Sequence, residues 1–84
     1  MTKILISAYH LCHAEYYARE VLHIGRSTWR FIQEDWDIRG LRGAELILVH
    51  AKRHRPTRLE FEKRAILKEA CLAWGINIKQ VELP

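Results

Sequence analysis

The hydrophobic positions of this chain change period as it is read from the N-terminus, and each change marks an element. Lys3–Ser7 is a short apolar run bounded by polar residues. Such a run suits a strand covered on both faces, as in a parallel sheet. From Leu11 to Ile24 the period lengthens. Leu11, Ala14, Tyr17, Ala18, Val21 and Leu22 recur at three- and four-residue steps and predict one helical stripe, with Glu15, Arg19 and Glu20 off it. Gly25 supplies a helix stop. Thr28–Ile32 is aromatic and β-branched and predicts a second strand. Gln33–Ala44 holds two glycines, which argue against a long helix, and predicts at most a helical turn near Trp36–Leu41 with Ile38 and Leu41 buried.

Glu45–Val49 is the clearest buried strand, and a basic turn, His50–Arg55, follows it. Thr57 then predicts a helix start. Its hydroxyl can cap the first turn, and Glu60 three residues on can complete a capping box. Leu59, Ile66, Leu67, Ala70, Cys71, Ala73 and Trp74 mark the apolar face of this helix. Arg58–Glu62 and Glu60–Arg64 are opposite-charge pairs at i,i+4 on the wet face. Gly75 ends the helix, Ile76–Val81 predicts a last strand, and Pro84 closes the chain. The order is β-α-β-β-α-β. It predicts a small Rossmann-like α/β domain with a four-stranded, mostly parallel sheet and two helices, in a single domain over 1–84. If both helices lay on one face of the sheet, the other face would need a partner.

Composition narrows the function classes. The 84 residues are 49% hydrophobic and 29% charged, as in an ordinary globular domain, and leave no room for separate cofactor and substrate domains. The apolar runs are far too short to span a bilayer, and the opening residues lack the apolar core of a secretion signal. Two cysteines, Cys12 and Cys71, make no disulfide framework, so a cytoplasmic, reduced protein is expected. Lys and Arg number 14 against 10 Asp and Glu, a net charge of +4, and much of the excess gathers after the third strand.

In open α/β sheets, ligands bind beyond the carboxyl ends of the strands. Those ends supply Tyr9, His10, Cys12 and His13, then Glu34 and Asp35, then His50, Lys52, Arg53, His54, Arg55 and Arg58. The last six are the candidate anion- or nucleic-acid-binding residues, because they run into a helix N-terminus that favours negative charge. Lys63, Arg64 and Arg42 extend the basic patch. Neither G-x-G-x-x-G nor G-x-x-x-x-G-K-[ST] occurs, which excludes a P-loop mechanism of nucleotide hydrolysis. His10, His13, His50 and His54 are the candidates for a metal. However, H-x-C-H is too tight for three ligands on one ion, and the neighbouring cations disfavour another. No metal or other cofactor is expected. Cys12 beside His10 and His13 offers a thiol at a helix start, but an apolar-side cysteine is more often packing, as is Cys71.

The segment Gly40–Ala51 resembles the stretch before the Walker B motif of phage terminase and other RecA-like ATPases. His50-Ala51 stands where the acidic pair would fall, so metal-assisted ATP hydrolysis does not carry over. The chain as a whole is similar to small orphan proteins of actinobacteriophages, on Lys3–Ile6, Ala14–Glu20, Trp29–Ile32 and Leu41–Gly43. That resemblance implies a phage accessory protein in the host cytoplasm and brings no catalytic residues. The expected function is non-enzymatic binding of a host or phage macromolecule, with a host or phage protein as the expected partner, modulation of host growth as one outcome and a homodimer as one arrangement. The alternative is a nucleic-acid- or nucleotide-binding module using the 50–58 loop.

Overall fold

The computed structural model describes residues 4–83, so Lys3 and Pro84 lie outside the described residues. β1 (Ile4–Ser7) runs between β2 (Trp29–Phe31) and β3 (Glu45–Ala51), and β4 (Asn77–Leu83) lies beyond β3. All three neighbouring pairs are parallel, in the order β2-β1-β3-β4. This is the α/β fold that the changes of period predict.

The register explains why the strands read as continuous apolar runs. Leu5 lies opposite Leu46 and Ile6 opposite Ile47, and successive side chains point to opposite faces. On one face Ile6, Trp29, Ile47 and Val49 pack with Ala14, Tyr17 and Ala18 of the first helix. On the other, Leu5, Leu46 and Leu48 pack with Ile38 and with Leu67 and Cys71 of the second. Both faces are buried, so both parities must be apolar.

The two helices therefore cover opposite faces, and no bare sheet face calls for a partner. Chain handedness accounts for this. The connection from β1 to β2 runs one way along the sheet, while those from β2 to β3 and β3 to β4 run the other way. Crossovers of one hand must then put the first helix on one face and both later connections on the opposite face. Cover is uneven on that second face. Beside α2 (Arg58–Ala73), a cleft of about 490 Å³ opens over β4, lined by Phe61, Arg64 and Lys68 of the helix and by Gln80 and Glu82 of the strand.

Several boundaries differ from the sequence expectation. α1 (Leu11–Tyr16) is short and passes into a π-helical turn, Tyr17–Val21, rather than running evenly to Ile24. Leu22 N–H donates to the Tyr17 carbonyl at 3.1 Å and Ile24 N–H to that of Ala18 at 3.0 Å. The helix is stopped by His23, at φ 54°, and not by Gly25. Leu11 and Val21 are exposed, so the buried stripe is Ala14, Tyr17 and Ala18. Thr28 belongs to a 3₁₀ turn before β2. In the 33–44 connection a 3₁₀ turn, Asp35–Ile38, buries Ile38 and packs the half-buried Leu41 against the core, as predicted. β3 and β4 each run two residues further than predicted, because His50 and Ala51 pair with Glu82 and Leu83.

α2 is capped as its sequence dictates. Glu60 N–H donates to Thr57 Oγ1 at 3.2 Å, and Thr57 N–H donates to Glu60 Oε1 at 3.0 Å. At the far end Gly75 takes φ 68°, Gly75 N–H donates to the Leu72 carbonyl, and Ile76 N–H to that of Cys71. This is the Schellman closure, completed by the shared burial of Cys71 and Ile76. The buried stripe is again narrower than the periodicity suggests. Leu67 and Cys71 are buried, whereas Leu59, Ile66 and Ala73 are exposed. One helix packing on a flat sheet buries a narrower face than a helix inside a bundle. No helix among the described residues is long and apolar enough to cross a membrane.

Candidate functional site

The connections leave β1 and β3 in opposite directions, so their carboxyl ends splay apart and open a crevice at the switch in strand order. Tyr9 and His10 follow β1, and His13 sits in the first turn of α1. His50 is near the end of β3, His54 is in the turn after it, and Glu60 and Arg64 are in the first two turns of α2. The fold thus gathers four of the five histidines at one edge.

Glu60 is the hub of this group. Its Oε1 is held by the Thr57 N–H, while Oε2 lies 3.3 Å from His54 Nε2 and 3.6 Å from His10 Nε2. The rings of His10 and His54 meet edge-on, 4.7 Å apart between centroids. His13 stands 5.4 Å from His10 and 5.6 Å from His54. Tyr9 closes the other side, 5.5 Å from His54 and 6.0 Å from His50. Over Tyr9 lies the Arg64 guanidinium, 3.8 Å above the ring, and it also donates to the Val49 carbonyl at 3.1 Å. The half-buried Arg64 thereby ties β1, β3 and α2 together at their shared edge.

Electrostatics follow from one carboxylate among four imidazoles. Burial pushes the His13 pKa down, and the nearby His10 and His54 add to the shift, with Glu60 partly countering it. His13 Nδ1 is also buried without a hydrogen-bond partner, the sole such side-chain atom among the described residues. Glu60 is held below the usual carboxylate range, mainly by the Thr57 backbone N–H. Burial lowers the Arg64 pKa, against the pull of Tyr9 and Glu60.

The sequence-predicted residues divide into three groups. His10, His54 and His13 come together. His50 lies beside Tyr9 but outside the set around Glu60, facing the cleft over β4. Lys52, Arg53, Arg55 and Arg58 are exposed, the last paired with Glu62 at 3.2 Å. At the helix N-terminus Thr57 Oγ1 accepts from the Glu60 N–H at 3.2 Å, so one of the free amides there is engaged by the cap. Glu60 and Arg64 do not form the i,i+4 pair their spacing suggests, since each has turned to the crevice. Glu34 reaches Lys63 of α2 at 3.3 Å, and Asp35 opens the 3₁₀ turn, so neither joins the histidines. Cys12 is exposed and apart from them, and Cys71 is core, its thiol pKa raised by burial. Sequence reasoning missed Glu60 as a site residue and placed Arg64 only in the wider basic patch. The available signal was their place in the first two turns of the helix that follows a central strand.

Set against protein-family models, curated proteins and solved structures, the chain matches none.

Proposed function

We propose that the protein is a non-catalytic binding domain that engages the phosphate backbone of duplex nucleic acid at the carboxyl edge of its sheet. One observation carries this reading. Lys52, Arg53 and Arg55 are exposed in the turn after β3, and none of them pairs with a carboxylate among the described residues. Side chains so placed can neutralise phosphates and release counterions without reading sequence. A duplex is the first probe because exposed cations can contact its phosphates without base stacking. The Tyr9 ring is covered by Arg64, whereas Phe61 is exposed, so a single strand is the comparison. A phage accessory role in a host cytoplasm is the setting that the sequence resemblance suggests.

Fluorescence anisotropy with a short labelled duplex across a salt series tests this. Affinity falls with salt at a slope near 0.9 per phosphate contact, so three contacts give about 2–3 in log–log form. The combined Lys52→Ala, Arg53→Ala and Arg55→Ala variant flattens that slope. Binding that ignores salt, or survives the triple change, overturns the proposal. The second reading, a protein partner, is favoured by Leu59, Phe61, Ile66 and Leu72, all exposed on α2. Recovery of one defined protein at fixed stoichiometry, unaffected by nuclease, would support it instead.

A further inference from the structure

We infer that His10, His54 and Glu60 form a binding site for a single divalent first-row transition metal ion, with Zn²⁺ as its test case. The inference is independent of the nucleic-acid reading, since none of the three belongs to the exposed cations of the turn.

The three side chains come from three separate segments: the loop after β1, the turn after β3 and the first turn of α2. Their donor atoms all lie within 4.8 Å of one another. His54 Nε2 and His10 Nε2 are 3.3 Å and 3.6 Å from Glu60 Oε2. Metal–ligand bonds of about 2.0–2.2 Å in a tetrahedron separate neighbouring donors by ~3.3–3.6 Å. The two imidazole–carboxylate separations match that spacing, and the donor atoms of the two rings lie within 4.8 Å of each other, so an ion draws the rings together.

The surroundings suit a metal as well. Thr57 N–H holds Glu60 Oε1 at 3.0 Å and so aims Oε2 inward, the outer support that ligating carboxylates usually have. Two imidazoles with one carboxylate favour a borderline ion over Mg²⁺ or Ca²⁺, which prefer all-oxygen sites. Three protein donors leave a fourth position for water or an external anion. The cations that argued against a metal in the sequence are directed elsewhere. Lys52, Arg53 and Arg55 are exposed on the turn, and Arg64 is engaged with Tyr9 and the Val49 carbonyl.

Without an ion, the His54 contact reads as a hydrogen bond from imidazole to carboxylate and the His10 contact as a longer ion-pair approach, so the test must separate these from metal binding. The full chain, stripped with chelator, is titrated with ZnCl₂ by calorimetry and with CoCl₂ by visible absorption. One equivalent binds, and Co²⁺ gives the intense bands of a four-coordinate site with nitrogen and oxygen donors. His10→Ala, His54→Ala and Glu60→Gln each weaken Zn²⁺ binding at least about tenfold. Glutamine can still complete the capping box, so Glu60→Gln keeps α2 capped, and circular dichroism verifies the fold. His23→Ala, a histidine outside the cluster, leaves binding unchanged, and MgCl₂ gives no heat. Absence of saturable Zn²⁺ binding overturns the inference. So does binding that persists unchanged in all three site variants.

Discussion

Before β3 and β4 the chain turns on backbone hydrogen bonds, whereas beyond β1 and β3 the backbone turns (His13 N–H to the His10 carbonyl, His54 N–H to that of Ala51) are joined by a cluster of side chains. Before β3, Leu41 N–H donates to the Ile38 carbonyl and Ala44 N–H to that of Leu41, around Gly40 and Gly43. Before β4, Gly75 and Ile76 close the Schellman turn, and Asn77 N–H reaches the Ala44 carbonyl. Main-chain groups are satisfied there by main-chain groups, with glycine supplying the left-handed geometry. Beyond β1 and β3, ring faces, a carboxylate and a guanidinium hold the segments together, and one buried imidazole nitrogen stays unpaired. An end closed by its backbone has nothing left to bind with. An end closed by ionisable side chains can exchange those contacts for a ligand.

Substitutions at the two helix caps of α2 sharpen the contrast. The largest effect is expected at the amino edge. Gly75→Ala meets no atom within 4 Å, so its cost is conformational alone, about 1–2 kcal/mol for an L-residue held at φ 68°. At about 4–8 °C per kcal/mol this is a clear drop in melting temperature, while the Zn²⁺ titration of the folded protein stays unchanged. Next comes Thr57→Ala at the carboxyl edge, which removes the cap for about 1 kcal/mol. The backbone N–H of residue 57, which holds Glu60 Oε1 at 3.0 Å, survives this change, so Zn²⁺ binding weakens only as far as the first turn of α2 loosens. If Gly75→Ala disturbed the metal site, the two ends would not differ as described.

The smallest effect is a pH dependence confined to the carboxyl edge. His13 faces His10, His50, His54 and Glu60, and its pKa is lowered from 6.5. A depressed histidine stabilises the fold fully above the unfolded value. The contribution is lost as pH falls through the folded one, because the unfolded chain takes up the proton first. In chelator, the urea midpoint therefore declines as the solution is acidified below pH 6.5. His13→Gln declines less over the same interval. Glu60, lowered from 4.5, adds a second loss only below that pH, where its carboxylate must accept a proton. Parallel wild-type and His13→Gln curves would show that His13 is not desolvated in the folded state.

Much of this fold is legible in the sequence because it rests on local chemistry. Thr57 with Glu60 predicts the α2 start, and Gly75 its end, since a cap needs only residues within one turn. Ile38 shows as a buried peg in an otherwise polar connection. The end of α1 was not legible. Gly25 is the obvious breaker, yet His23 takes the left-handed conformation two residues earlier, because the wide π turn spends the helix sooner. Leu59 and Ile66 carry the right period but stand outside the packed stripe.

The site divides along the same line. Tyr9, His10, His13, His50 and His54 can be placed at the sheet edge from the sequence, because they follow apolar strands. Glu60 was masked by its own explanation. A capping box accounts for one carboxylate oxygen, and the second is free to serve elsewhere. Arg64 was masked by a plausible salt bridge at i,i+4. Alternating periods, caps and strand-end loops are short-range features, and the sequence by itself determined them: the α/β class, the element order and the basic turn. Strand order is a long-range property, and tertiary structure alone decided it. By placing β1 beside β3, it put the helices on opposite faces and brought His10 and His54 to a single carboxylate oxygen.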